Sequence, residues 1–170
     1  MSEPTTSPQP RPSGRLTLAL MIPINLVLLP WIWFGRVVFG VGGWFILILT
    51  PVVLIVGVAL LVTTLQAFTQ PTRPRRLTAW ERRWQWSVWL GLLVGGAFLP
   101  DFGDTEESYT SLLGRIAGRS DAANQTSLTI AMIGYGIAVV AWFGLVIALA
   151  VGRRSPGAAP GPAGGVRAAR

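Results

Sequence analysis

Between Leu16 and Phe68 the chain carries one charged residue, Arg36. That run is about twice the ~20 to 25 apolar residues that a single helical crossing of a bilayer needs. Two membrane helices therefore have to share it. Breaking it at Gly35-Arg36 would leave a second helix far too long, whereas a turn near Gly40 to Gly43 (GVGG) yields two of similar length. This division puts Arg36 near the end of the first span, where its long stem can snorkel to the interface. Trp31, Trp33 and Trp44 then fall at one level as an aromatic belt. Pro23, Pro30 and Pro51 are expected to kink the two helices, with neighbouring groups satisfying the freed carbonyls.

Composition agrees with the membrane class: 51% of residues are hydrophobic and the mean hydropathy is +0.54. All 14 basic residues are arginine, and lysine, histidine and cysteine are absent. Disulfides, zinc sites with Cys or His ligands, a Ser-His-Asp triad, a cysteine nucleophile and a lysine Schiff base are thus excluded. A sequence pI near 11.6 raises the question of nucleic acid. The arginines flank apolar runs, however, which is the ordinary orientation signal of a membrane protein, so no nucleic-acid partner is expected.

Residues 1–14 are rich in Pro, Ser and Thr and read as a disordered tail, and residues 153–170 as a low-complexity one. The apolar run after Arg15 is too long for a signal peptide and shows no small-x-small cleavage site, so it is expected to stay attached. After the second span, Pro71 and Pro74 stop the helix and Arg73, Arg75 and Arg76 follow. Thr78 with Glu81 then forms a capping box that starts a helix at Ala79. Its first turns carry the expected interface anchors Trp80, Arg82, Arg83, Trp84 and Trp86. Continued to Leu99, it is about 32 Å long at 1.5 Å per residue, enough for a third span. Gly91 and Gly95 lie on one side of it with Trp84 and Ser87. The stretch Ser127 to Gly152 is uncharged and reads as a fourth span. There Ala131, Gly134, Ala138, Ala141, Ala148 and Gly152 form a stripe of small residues. Helix packing is therefore assigned to Gly91, Gly95, Gly134, Ala138 and Ala141.

Between the last two spans, Asp104 and Glu107 make a second capping box, and a short amphipathic helix is predicted from Thr105 to Ala117 with Tyr109, Leu112, Leu113 and Ile116 on its apolar side. Asp101, Asp104, Glu106 and Glu107 are the one candidate cation cluster, since hard divalent ions take several carboxylate oxygens. Capping and helix-dipole roles account for the same residues. Within the spans Asn25 is the main polar residue, and a bond to a neighbouring helix is the expected use of it. Neither a catalytic residue, a bound metal nor a cofactor is predicted. The tryptophans could in principle cage a quaternary ammonium, with Glu81 as the only acidic residue on their side, but belts account for most of them.

The segments LTAWERRWQW and GGAFLPDFGDTEES resemble a pattern in small uncharacterised four-span membrane proteins of high-GC bacteria. The resemblance covers about the middle third of the chain, implies the same topology and carries no activity with it.

The fold expected is an all-α membrane protein with four transmembrane helices, at about 16–40, 44–68, 79–99 and 127–152. The N-tail, central loop and C-tail share one side with eleven of the 14 arginines. By the positive-inside rule that side is cytoplasmic, in the plasma (inner) membrane. The leading functional expectation is a non-enzymatic subunit or modulator of a larger membrane assembly, with the lipid bilayer, other membrane proteins or a second copy as partners. The alternatives are a small oligomeric solute- or ion-conducting protein, and an envelope or lipid enzyme using Asp101 and Asp104.

Overall fold

The computed structural model describes residues 13–41, 43–70, 76–101 and 110–154. Among these residues the chain is helical: α1 (Ser13–Phe34), a 3-10 helix (Gly35–Phe39), α2 (Phe45–Phe68), α3 (Ala79–Phe98), α4 (Leu112–Ala117) and α5 (Asp121–Arg154). Three segments, Gly14–Phe39, Ile46–Phe68 and Asp121–Arg153, are long and apolar enough to cross a membrane. α3 is less apolar because Glu81, Arg82, Arg83 and Gln85 occupy its first two turns.

The first turn is built from backbone geometry. α1 continues through Pro23 and Pro30, then tightens into the 3-10 helix, and Gly40 closes it in the left-handed region at φ 70°. A side chain there would be strained, and its Cβ would lie 2.9 Å from the Arg115 guanidinium. The chain therefore reverses just where the glycines stand, and α2 follows at Phe45.

α3 starts on the predicted box. Thr78 Oγ1 accepts from the Glu81 N–H at 3.2 Å, and Glu81 Oε2 accepts from the Thr78 N–H at 2.7 Å. Two donors that have no partner inside the helix are thereby satisfied.

The segment after α3 differs from the expectation. A helix running from Thr105 to Ala117 is ruled out because Thr110 pairs with Asp101 in an antiparallel bridge, N–H to O=C in both directions at 2.9 and 3.0 Å. α4 is a helix of 6 residues, capped by the Ser111 hydroxyl, which accepts from the Gly114 N–H at 3.0 Å. Ile116 is 74% exposed and Leu112 and Leu113 are half-buried. Asp104, Glu107 and Tyr109 lie outside the described residues. α5 begins at Asp121, ahead of the expected Ser127, because Ser120 caps it through its hydroxyl and the Ala123 N–H at 3.1 Å. Its 34 residues span about 51 Å, longer than a ~30 Å hydrocarbon core, so the helix outruns the apolar stretch.

Contacts at the helix ends define how the elements run. At one end Leu77 N–H bonds Gly14 O at 3.3 Å, Gln70 Nε2 bonds Leu149 O at 2.9 Å, and the Arg153 guanidinium bonds Gln66 O at 3.1 Å and the Thr69 hydroxyl. At the other end Arg36 meets Asp101, Arg115 bonds Gly40 O, and the Ser127 hydroxyl donates to Phe98 O at 2.7 Å. The starts of α1 and α3 thus share an end with the finishes of α2 and α5. Arg15, Arg76, Arg82, Arg83 and Arg153 gather there, whereas Asp101 and Asp121 lie at the opposite end.

The core is contributed by all four long helices, with Met21, Leu28 and Ile32 from α1, Leu60 from α2, Val88, Trp89 and Leu92 from α3, and Ala141, Leu145 and Leu149 from α5. α2 is the most peripheral: 22% of its apolar window is buried. α3 and α5 make the closest pair. A Cβ on Gly91 would lie 2.5 Å from Gly134 O and 2.8 Å from Ala138 N, and one on Gly134 would lie 2.9 Å from Gly95 N. The backbones touch, which only small residues on both helices allow.

Candidate functional site

Three polar features stand inside this apolar bundle. The first is a buried ion pair at the end where α1 and α3 finish. Arg36 Nε donates to Asp101 Oδ2 at 2.8 Å, and the two side chains are 0% and 1% exposed. The 3-10 helix carries Arg36 inward, and Pro100 together with the Asp101–Thr110 bridge holds the carboxylate opposite it. The expectation that Arg36 snorkels is thus overturned. A guanidinium whose charge meets a carboxylate in the interior has no need of the interface, and its length instead spans the gap between two helix ends.

The second feature lies mid-bundle. Asn25 Nδ2 donates to Thr64 Oγ1 at 3.0 Å, Trp89 Nε1 donates to Asn25 Oδ1 at 2.8 Å, and Thr64 donates to Leu60 O at 2.7 Å. One amide therefore ties α1 to α2 and to α3. Replacing Asn25 by leucine is expected to cost about 1 to 3 kcal/mol, because the Trp89 N–H and Thr64 hydroxyl lose a buried partner. A double-mutant cycle with Trp89→Phe, read by unfolding in mixed micelles, measures the coupling; additive losses would deny it.

The third is Gln85, fully buried on α3 one turn beyond Glu81, with both amide atoms unpartnered among the described residues. The Tyr135 hydroxyl on α5 is likewise buried without a partner there. Such groups are retained against a penalty of about 1 to 3 kcal/mol each.

Three of the tryptophans tie helices together through their indole N–H. Trp31 Nε1 donates to Leu93 O at 3.0 Å, Trp33 Nε1 to Ile46 O at 2.8 Å, and Trp142 Nε1 to Ala59 O at 3.0 Å, each across to a neighbouring helix. Trp44 stays exposed at 48%. An indole N–H inside an apolar bundle needs an acceptor, and a helix carbonyl is the nearest on offer. Sequence position alone gave no signal for these pairings.

Of the expected anchors, Trp80 and Trp86 are exposed at 56% and 44%, Arg83 is exposed, and Arg82 and Trp84 are half-buried. Trp84 packs its ring over Gly144 of α5, and Trp86 sits edge-on to the buried Trp89 at 5.1 Å. The packing residues Gly91, Gly95, Gly134 and Ala138 come together at the α3–α5 crossing, and Ala141 is buried in the same core. Of the candidate cation cluster, Asp101 is committed to Arg36, and Asp104, Glu106 and Glu107 lie outside the described residues. No group of three or more His, Cys, Asp or Glu side chains capable of holding a metal occurs among the described residues.

Beside the points where α2 and α5 touch, an apolar cleft of about 520 Å³ opens, lined by Val52, Ile55, Val56 and Ala59 on one side and Tyr135, Val139, Trp142 and Phe143 on the other. Comparison of the chain with protein-family models, with curated proteins and with solved structures returned no match.

Proposed function

We propose that the protein is a non-enzymatic integral membrane protein of the plasma (inner) membrane, a subunit or modulator of a larger membrane assembly. In this reading α3 is a fourth span, its 20 residues covering about 30 Å, and both termini are cytoplasmic. The gathering of Arg15, Arg76, Arg82, Arg83 and Arg153 at one end supports the orientation. Reporter fusions check it: a fusion at Pro74 should report cytoplasmic, and an external signal would overturn the topology.

The observation that carries the assembly reading is the α2–α5 cleft. Where α3 and α5 close backbone to backbone, α2 and α5 meet through the Trp142–Ala59 hydrogen bond, and beside that contact Ile55 and Phe143, exposed at 69% and 56%, edge an apolar trough. Van der Waals packing into such a trough is the main source of helix association in a bilayer. A photo-cross-linking residue at Val139 should capture a discrete protein adduct, while one at the exposed Leu26 of α1 should give none. Equal lipid-only labelling at both positions would end the assembly reading. Conduction is less well supported, because Leu28, Ile32 and Leu92 fill the interior between the Asn25 layer and the Arg36–Asp101 pair.

A further inference from the structure

At the arginine-rich end a second groove opens, between the first turns of α3 and the last turns of α5. Its volume is about 540 Å³, and Trp80, Glu81, Trp84, Gly144, Ala148 and Gly152 are among the residues that line it. Two glycines of α5 receive these side chains. A Cβ on Gly144 would lie 2.8 Å from the Trp84 ring, and one on Gly152 would stand 3.4 Å from Glu81 Oε1. The carboxylate therefore faces the bare backbone of α5. Trp80 and Trp84 meet edge-on, with centroids 5.2 Å apart and planes at 81°, so their rings form an aromatic corner beside it.

The charge of this groove runs against its surroundings. Glu81 is 6% exposed and is the one acidic residue among the described residues at that end of the bundle, amid five arginines. Its Oε2 is held by the Thr78 N–H, which fixes the side chain in the groove wall. Among the described residues no salt bridge engages it. A fixed, largely buried carboxylate next to two indoles selects a cation, since the ring quadrupoles and the carboxylate act in the same direction. Below them Ile147, Ala148 and Val151 offer apolar wall, and the arginines gathered at this end of the bundle, which do not line the groove, give its surroundings positive charge.

From this we infer that the groove binds a zwitterionic phospholipid: the headgroup nitrogen sits on Glu81 beside the Trp80–Trp84 corner, the phosphate lies towards the arginines gathered at that end of the bundle, and an acyl chain follows the wall of Ile147, Ala148 and Val151. A carboxylate at the floor disfavours an anionic headgroup without a cationic nitrogen. The apolar wall separates a lipid from a free amine, which would have nothing to place there.

Native mass spectrometry of the full chain, with palmitoyl-oleoyl phosphatidylethanolamine and phosphatidylglycerol competing at equal concentration, tests this. The wild type should retain one phosphatidylethanolamine in preference by about tenfold. Glu81→Gln keeps an N3 residue able to complete the capping box but removes the charge, so the preference should vanish with thermal stability unchanged. Ala148→Phe should lower retention of both lipids by filling the wall. Phosphatidylglycerol held as strongly as phosphatidylethanolamine by the wild type would overturn the assignment without any variant. So would an undiminished preference in Glu81→Gln, or unchanged retention in Ala148→Phe.

Discussion

Asp101→Ala should lower the stability of the bundle by about 3 to 5 kcal/mol, the cost of removing one partner from a buried ion pair. Neither side chain reaches water, at 0% and 1% exposed, so solvent does not soften the loss. The backbone bridge from Asp101 to Thr110 is untouched by the substitution, which isolates the effect to the carboxylate. A second variant separates attraction from desolvation. In Arg36→Met with Asp101→Leu both charges go together, and the penalty of burying either goes with them. Most of the lost stability should return in this double variant, measured by denaturant unfolding in mixed micelles. A double variant as unstable as Asp101→Ala would locate the loss in shape and not in charge.

Gly91→Leu is the second large effect. Its Cβ would arrive 2.5 Å from a main-chain oxygen and 2.8 Å from a main-chain nitrogen of α5, atoms that cannot rotate aside. Overpacking of a well-filled interface costs about 1 to 3 kcal/mol, and a backbone obstacle puts this position at or above the upper limit. Gly136→Leu, on α5 but with nothing within 4 Å of its Cβ, is the control and should change stability by about 0.5 kcal/mol or less. Equal effects at the two glycines would mean that the crossing is not close-packed. The same unfolding measurement reads both.

These two sites also mark what could be read from sequence. Glycine and alanine at helical spacing are a periodic signal, so Gly91, Gly95, Gly134 and Ala138 could be named before any coordinates, although not their pairing across the crossing. Thr78 and Glu81 were legible for a different reason: a capping box is local, complete within four residues. Arg36 and Asp101 are separated by 65 positions, and nothing local distinguishes an arginine that rises to the interface from one that turns inward. The same holds for Trp31, Trp33 and Trp142, whose acceptors are main-chain oxygens with no identity in the sequence. Hydropathy placed the start of α5 too late because it marks where the apolar stretch begins, whereas the helix begins where Ser120 caps it. The groove beside Glu81 combines two legible signals, the Glu81 cap and the small residues Ala148 and Gly152 of α5, but nothing local sets one opposite the other.

The distance between Arg36 and Asp101 along the chain has a consequence for biogenesis. At about 5 to 20 residues synthesised per second, the arginine precedes its counterion by roughly 3 to 13 s. Only from about half-way through that interval, once Phe68 has been made, can α1 and α2 pair through the Asn25–Thr64 bond, with Asp101 still to come. Until then its flexible stem can keep the guanidinium in contact with water. Only the emergence of Pro100 and Asp101 behind α3 gives it a reason to turn inward. Closure of this pair therefore dates the moment at which the early hairpin and the later helices become one structure.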